Sequence, residues 1–233
     1  MQRYFALDKD LSLDNSDYFH IKNVMRMKTG DLIDVIYDKM VYHCKVKVGK
    51  EVKVEVINSE KGNDNNVSVT IAFSLLKEKK LDYVFQKTTE LGVDSLIPIK
   101  TTRSIIKLDD KKEADRFKRW QKICKESSEQ CGRNYIPKII SISTIYDLVK
   151  LNYDLKILCT LNEKSRNIKK VIQKNNKCDR ILIVIGPEGG FDKEEEKFLI
   201  QNHFISTTLG STVLRAETAP VVALSMLNYE FMR

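Results

Sequence analysis

A chain of 233 residues with 42% hydrophobic and 31% charged side chains has the balance of a soluble globular protein, with enough length for two domains and a sizeable core. No apolar run reaches the length needed to cross a bilayer and Met1–Asp10 has no signal-peptide core, so neither insertion nor export is expected and the compartment read from the sequence is the cytoplasm. Five scattered cysteines without a C-x-x-C pair, and three scattered histidines, His20, His43 and His203, argue against a disulfide framework or a metal site.

The net charge of +8 is unevenly placed. Residues 1–70 hold 11 basic and 11 acidic side chains, whereas the remainder holds 29 against 21. A basic excess confined to one part fits either an anionic partner there, whose counterions Lys and Arg displace, or a solvated lysine-rich surface.

Between Asp31 and Asn58, three short valine-rich segments alternate in polarity and are separated at Lys39-Met40 and Gly49-Lys50. This pattern predicts an antiparallel meander, part of a small barrel. The polar KGNDNN stretch from Lys61 to Asn66 reads as a linker, placing the boundary between domains at 1–69 and 70–233. Beyond it, a buried-type strand over Val67–Leu76 is followed by Leu81, Val84, Phe85, Thr88 and Leu91 at helical spacing, with Gly92 as the stop. A strand over Ser95–Lys100 and a long helix over about Lys111–Cys131 come next; Phe117, Trp120, Cys124, Ser127 and Cys131 form its apolar stripe, and Gly132 ends it. Strands at Leu155–Thr160, Arg180–Ile185 and Ser206–Leu209 then alternate with helices near Ser165–Lys174, Asp192–Gln201 and Thr218–Met232. Such alternation predicts an α/β domain with a mostly parallel sheet.

Two strand-to-helix loops carry the chemical signal. The first is IVIGPEGGF, Ile183–Phe191, which matches neither the dinucleotide-binding nor the P-loop pattern. Asp192 and Glu195 form a capping box in the helix after it, and Glu194 and Glu196 add further negative charge. That turn is a poor seat for phosphate and is compatible with a positively charged sulfonium cofactor, although a tight structural turn would also use these glycines. The second is LGSTVLRAETA, Leu209–Ala219, in which Arg215 and Glu217 stand on a short loop, either as a functional pair or as a salt bridge that fixes it. On the long helix a polar stripe through Arg119, Lys122, Glu126, Gln130 and Arg133 faces solvent, a subunit partner or RNA.

These segments resemble the RsmE branch of the SPOUT methyltransferases. The matching pieces run in family order over nearly the whole chain: RYF at Arg3–Phe5, H-x-x-N-V-M-R at His20–Arg26, QKTTELGV at Gln86–Val93, TTRS at Thr101–Ser104, EQCGRN at Glu129–Asn134, and the two loops above. The departures are Asn23 and Met25, where the family more often has Arg and Leu. The resemblance implies an N-terminal PUA-like antiparallel β-barrel, a C-terminal SPOUT α/β domain with a deep trefoil knot, and a homodimer. It implies an enzyme that uses S-adenosyl-L-methionine to methylate uracil N3 in small-subunit (16S) ribosomal RNA. Cofactor-binding positions carried over from it are Leu161 and Glu163, then Ile185, Gly186, Pro187, Glu188, Gly189 and Gly190, then Leu209, Gly210, Ser211, Val213 and Leu214. Those facing RNA are Arg3, His20, Arg26, Lys87, Arg103 and Arg133, and Arg215 and Glu217 are the catalytic candidates. A SPOUT enzyme acting on a ribose hydroxyl or on transfer RNA, or an RNA-binding protein of the same fold without activity, are the alternatives. Intact IGPEGG and LRAET loops favour an enzyme, and the RYF and H-x-x-N-V-M-R segments favour the ribosomal branch.

Overall fold

A computed structural model describes residues 1–62, 67–104 and 110–231. Part of the expected linker, 63–66, and Met232 at the end of the expected last helix lie outside the described residues. The chain divides into two compact units, one formed by Met1–Asp64 with Lys125–Ile136 and the other by Asn65–Cys124 with Pro137–Arg233. Among the described residues no helix is long and apolar enough to cross a membrane.

In the first unit, β1 (Gln2–Phe5), β2 (Leu32–Tyr37), β3 (Met40–Val48) and β4 (Val52–Lys61) form one sheet in that order. The predicted meander is present in β2–β4, which pair antiparallel. The turn between β2 and β3 is Asp38-Lys39, both with positive φ, the conformation a two-residue hairpin requires. The all-antiparallel expectation is corrected by β1, which lies parallel to β2 from Gln2 opposite Ile33 to Phe5 opposite Ile36. A parallel pair needs a long crossover, and the connection here contains α1 (Asn15–Phe19) and a π-helical turn over His20–Val24. Tyr4, Ile21, Ile33, Val35, Cys44 and Val46 are buried together as the core of this unit.

The last turns of the long helix α3 (Asp110–Cys131) belong to this unit through a charged cluster. Lys125 Nζ donates to Asp14 Oδ2 at 2.6 Å and to Asp17 Oδ1 at 2.7 Å, and lies 3.5 Å from Glu129 Oε1. Glu129 Oε1 in turn accepts the Phe5 backbone N–H at 3.2 Å, so one carboxylate ties α3 to β1.

The second unit holds a seven-stranded parallel sheet in the order β11 (Ile205–Thr207), β9 (Leu155–Cys159), β10 (Arg180–Ile185), β5 (Ser68–Ser74), β6 (Ser95–Lys100) and β7 (Lys138–Ile139), with β8 (Ser143–Thr144) also beside β6. All its pairs are parallel. β5 and β10 lie at the centre and are buried along nearly their whole length, which is why they read as unbroken apolar runs. Near α2 (Glu78–Glu90), Phe85 stacks on Trp120 of α3 at 4.8 Å between ring centroids and meets Phe73 of β5 edge-on at 5.4 Å. Another cluster joins Leu182 and Val184 to Leu148 of α4 (Ile145–Leu148) and Leu199 of α6 (Lys193–Gln201). The final helix α7 (Thr218–Phe231) packs on α2 and on α5 (Ile168–Lys174). Arg119, the first member of the polar stripe on α3, is used within this unit, pairing with Glu78 and Asp82 of α2.

Burial pushes the Glu129 carboxyl up to about 7 against the pull of Lys125, with Asp17 adding to the rise. A carboxyl whose folded pKa lies above its ordinary 4.5 favours folding in its protonated form, so its contribution is complete at low pH and is lost as pH climbs from 4.5 through about 7. Glu129→Gln keeps an acceptor for the Phe5 N–H and should flatten the fall in stability across that interval. Urea midpoints measured between pH 4 and 8 that fall equally steeply in both proteins would refute this assignment.

Candidate active site

The carboxyl ends of parallel strands are where loops can form a site without interrupting the sheet. Here the segments after β6, β9, β10 and β11 surround one cavity of about 300 Å³. Arg103 comes from the first, Thr160, Leu161, Asn162 and Lys164 from the second, Gly186–Phe191 from the third and Thr208–Leu214 from the fourth. Ala216, just before the final helix, and Ala219, in its first turn, close it.

The glycine loop is shaped by close approach. A Cβ at Gly186 would lie 3.0 Å from two ring carbons of Phe191 and 3.2 Å from its backbone N, so any larger residue would press on that ring where the chain leaves β10. Gly190, at φ +69, turns the chain back, and its N–H donates to the Pro187 carbonyl at 2.9 Å. Arg103 Nη1 donates to the Gly189 carbonyl at 2.8 Å, with Nη2 3.5 Å from Asp192.

The capping box read from the sequence is formed: Asp192 accepts from the Glu194 N–H at 3.1 Å and its own N–H donates to Glu195 Oε2 at 2.9 Å. The acidic first turn has a purpose that the sequence pattern does not reveal. Glu195 Oε1 accepts from the backbone N–H and hydroxyl of Thr102 at 2.8 and 3.0 Å, and Glu196 accepts from the Thr160 hydroxyl at 2.9 Å and the Asn162 amide at 2.6 Å. Both carboxylates are only 8% exposed. They brace two loops of the cavity, which removes them as an argument for a cationic ligand.

Of the positions expected to hold a cofactor, Leu161, Ile185–Gly190, Leu209–Ser211, Val213 and Leu214 line the cavity. Glu163 does not; its Oε1 accepts from the N–H groups of Ser165 and Arg166 at 2.8 and 3.0 Å, and its Oε2 from the Ser206 hydroxyl at 3.2 Å. Those bonds hold its carboxyl down at about 2 and make it the staple of its own loop. Arg215 and Glu217 flank the lining residue Ala216. Arg215 is exposed, and no partner holds its guanidinium among the described residues. Glu217 Oε2 is buried 3.2 Å from Lys80 Nζ, at ion-pair distance but without the angle of a hydrogen bond. Lys80 also pairs with Glu188, so one α2 cation ties both loops. That residue escapes sequence reading because its partners lie 108 and 137 positions away.

The six residues expected to face RNA fall into different settings. Arg3 is bonded to Asp34 Oδ2 at 3.1 Å, Asn134 Oδ1 at 2.9 Å and the Gly132 carbonyl. His20 Nδ1 pairs with the Tyr4 hydroxyl at 2.9 Å, whereas Arg26 is exposed with positive φ. Lys87 is engaged by both oxygens of Glu90 at 2.9 Å, Arg133 stacks over Tyr135 at 4.4 Å, and Arg103 belongs to the cavity.

The sequence of residues 63–228 matches the family model of the RNA methyltransferase domain, and residues 13–57 match that of the RNA methyltransferase PUA domain. The chain belongs to the RNA methyltransferase family. It is 35% identical to the ribosomal RNA small subunit methyltransferase E of Bacillus subtilis (strain 168), over 99% of this chain and 97% of that one. The protein of the same name from Mesomycoplasma hyopneumoniae (strain 232) is 33% identical over 97% and 98%. Among solved structures, a ribosomal RNA small subunit methyltransferase E from Neisseria gonorrhoeae bound to S-adenosyl methionine superposes with a TM-score of 0.88 at 25% identity, covering 99% of this chain and 98% of that one.

Gly186→Ala should force the Phe191 ring or the loop aside, lowering stability by about 1–3 kcal/mol as overpacking in a dense site does. An unchanged urea midpoint would mean that the ring yields freely and that the close approach does not shape the loop.

Proposed function

We propose that the protein is a cytoplasmic S-adenosyl-L-methionine-dependent methyltransferase acting on uracil N3 in small-subunit (16S) ribosomal RNA. The observation that carries this reading is the cavity bounded by the IGPEGG and LGSTVLRAET loops, in a chain of this family whose relatives are named ribosomal RNA small subunit methyltransferase E. Its volume and mixture of glycine backbone with Leu161, Leu209, Val213 and Leu214 suit a cofactor that combines a flat base with polar groups. A PUA-like barrel for RNA at 1–69, a catalytic domain at 70–233 whose chain is threaded as a trefoil knot, and a homodimer complete the proposal. The knot reading is supported by the strand order, in which β9 lies between β11 and β10, and by the convergence of the last two loops on one cavity. The dimer reading draws support from Tyr83 on α2 and Tyr229 on α7, both exposed on helices that pack together.

The sulfonium of the cofactor supplies an activated methyl group. The chain's part is placement, since the accepting nitrogen must meet the methyl carbon in line. Lys80 holds the Glu188 and Glu217 loops in register, and Glu195 and Glu196 hold the two loops facing them. Glu217 is the candidate acceptor for the N3 proton, directly or through water. Arg215, exposed beside Ala216, is the cation available to the base and to the negative charge that develops on it.

Titration calorimetry should show binding of S-adenosylmethionine and of S-adenosylhomocysteine, and mass mapping of 16S rRNA treated with the protein should show one new methyl on a uracil N3. Tight binding of NAD or ATP with none of either sulfur compound would overturn the cofactor, and methylation of a ribose hydroxyl or of transfer RNA would overturn the substrate. Arg215→Ala should leave cofactor affinity nearly unchanged while cutting the rate with RNA by roughly a hundredfold, the loss seen when an oxyanion-hole donor is removed. Lys should not restore it, because a planar fork is not replaced by a point charge. Loss of cofactor binding in Arg215→Ala would instead make the residue structural.

A further inference from the structure

A second hollow, of about 370 Å³, lies in the same unit and contains none of the residues discussed as catalytic. Ser165, Arg166, Lys170, Lys174 and Asn175 supply its polar lining, and Val171 and Ile205 its apolar part. The cations come at positions i, i+4 and i+8, and the two on α5 lie one helical turn, about 6 Å, apart on one face.

No ion pair involves Arg166, Lys170 or Lys174 among the described residues, and no carboxylate lines the hollow. The acidic groups nearby in sequence or fold are committed elsewhere. Glu163 bonds to Ser165, Arg166 N–H and Ser206, and Glu230 of α7 lies 4.0 Å from Lys169 and 3.2 Å from the Gln173 amide, residues on another face of α5. One face of this short helix is therefore charge-neutralised and the other is not. Three like charges around one concavity repel one another unless an anion joins them, and three separate donors in a row suit a chain of anions better than a single one.

Its place in the fold says which chain. Lys164 lines the first cavity and Ser165, the next residue, lines the hollow; Thr208 lines the first cavity and Ile205, three residues earlier, lines the hollow. A strand whose target base is presented to the methyl group at the mouth of the first cavity would carry its flanking phosphates past the second. We propose that Arg166, Lys170 and Lys174 form a binding track for the phosphodiester backbone of the RNA substrate, beside the base that is modified. The inference rests on the methyltransferase reading for the identity of that RNA. The hollow recognises phosphates and not bases, so it contributes affinity and register without reading sequence.

The test is the triple variant Arg166→Ala/Lys170→Ala/Lys174→Ala, with Lys170→Arg/Lys174→Arg as the charge-preserving control, in the full chain with a 16S rRNA transcript. Removing each cation that meets a phosphate of a single strand should lower the slope of log affinity against log salt by about 0.7, or about 2 for the three, with RNA binding weakened about tenfold or more at low salt. KM for RNA should rise while kcat and S-adenosylmethionine affinity stay unchanged, and the arginine control should behave like the natural protein. RNA affinity and salt slope unaltered in the triple variant would overturn the proposal. So would loss of inorganic phosphate binding with RNA affinity intact, which would mark a small-anion site. If the natural protein methylates no rRNA but the variant still loses salt-dependent RNA affinity, the methyltransferase reading fails and the phosphate track stands.

Discussion

Two glutamates in the first turn of α6 hold the candidate active site together. The cavity is bounded by irregular segments, whose backbone has no ladder of its own to fix it, and such segments keep one shape only where side chains supply the missing bonds. Glu195 reaches the loop after β6 through Thr102, and Glu196 reaches the loop after β9 through Thr160 and Asn162. Both belong to the helix that directly follows the glycine loop, so three walls of the cavity are referred to one rigid element. Bonds to a charged acceptor contribute about 1.5–3 kcal/mol each, and here they are nearly shielded from water.

This arrangement explains why the turn is so acidic. A helix N-terminus favours carboxylates, and the capping box uses Asp192 together with Glu195 Oε2. The remaining oxygen of Glu195 and both oxygens of Glu196 are then free to bond outward to loops. Charge that would repel a phosphate thus organises the walls of a site whose own lining, among the described residues, has Glu188 as its carboxylate, already paired with Lys80.

Much of this was legible in the sequence where one signal ran over several residues. The buried runs of β5 and β10, the Gly92 and Gly132 helix stops with their positive φ, and the strand–loop–helix segments around Gly186 and Leu209 all stand where the pattern placed them. Short elements did not show. β7 and β8 have two residues each and α4 has four, too few for either period to register. The helix expected from Ser165 begins only after the Asn167 cap, because Glu163 first gathers the N–H groups of Ser165 and Arg166 into a turn. Pairing direction escaped as well: nothing local in Arg3–Phe5 says that β1 runs parallel to β2. Long-range ties were invisible in principle, and Lys80, with its two carboxylates on distant loops, is the clearest instance.

The basic residues show why charge alone could not be read as function. Arg3 and Lys125 look in sequence like any other cations, yet each is the partner of a buried aspartate, Asp34 at 6% and Asp17 at 4% exposure. Removing Lys125 would leave Asp17 buried without its counter-ion, and removing Arg3 would leave Asp34 with His43 alone, so both cations contribute to the stability of the first unit. Arg215, Arg166, Lys170 and Lys174 have no such partner among the described residues and stand at or beside hollows. An unneutralised cation at a concave surface raises the local potential where a polyanion can meet it, whereas a neutralised one contributes little beyond its own local bond. The net charge of +8 therefore overstates what the first unit offers to RNA, and these four partnerless cations all belong to the second, around the cavity and the hollow beside it.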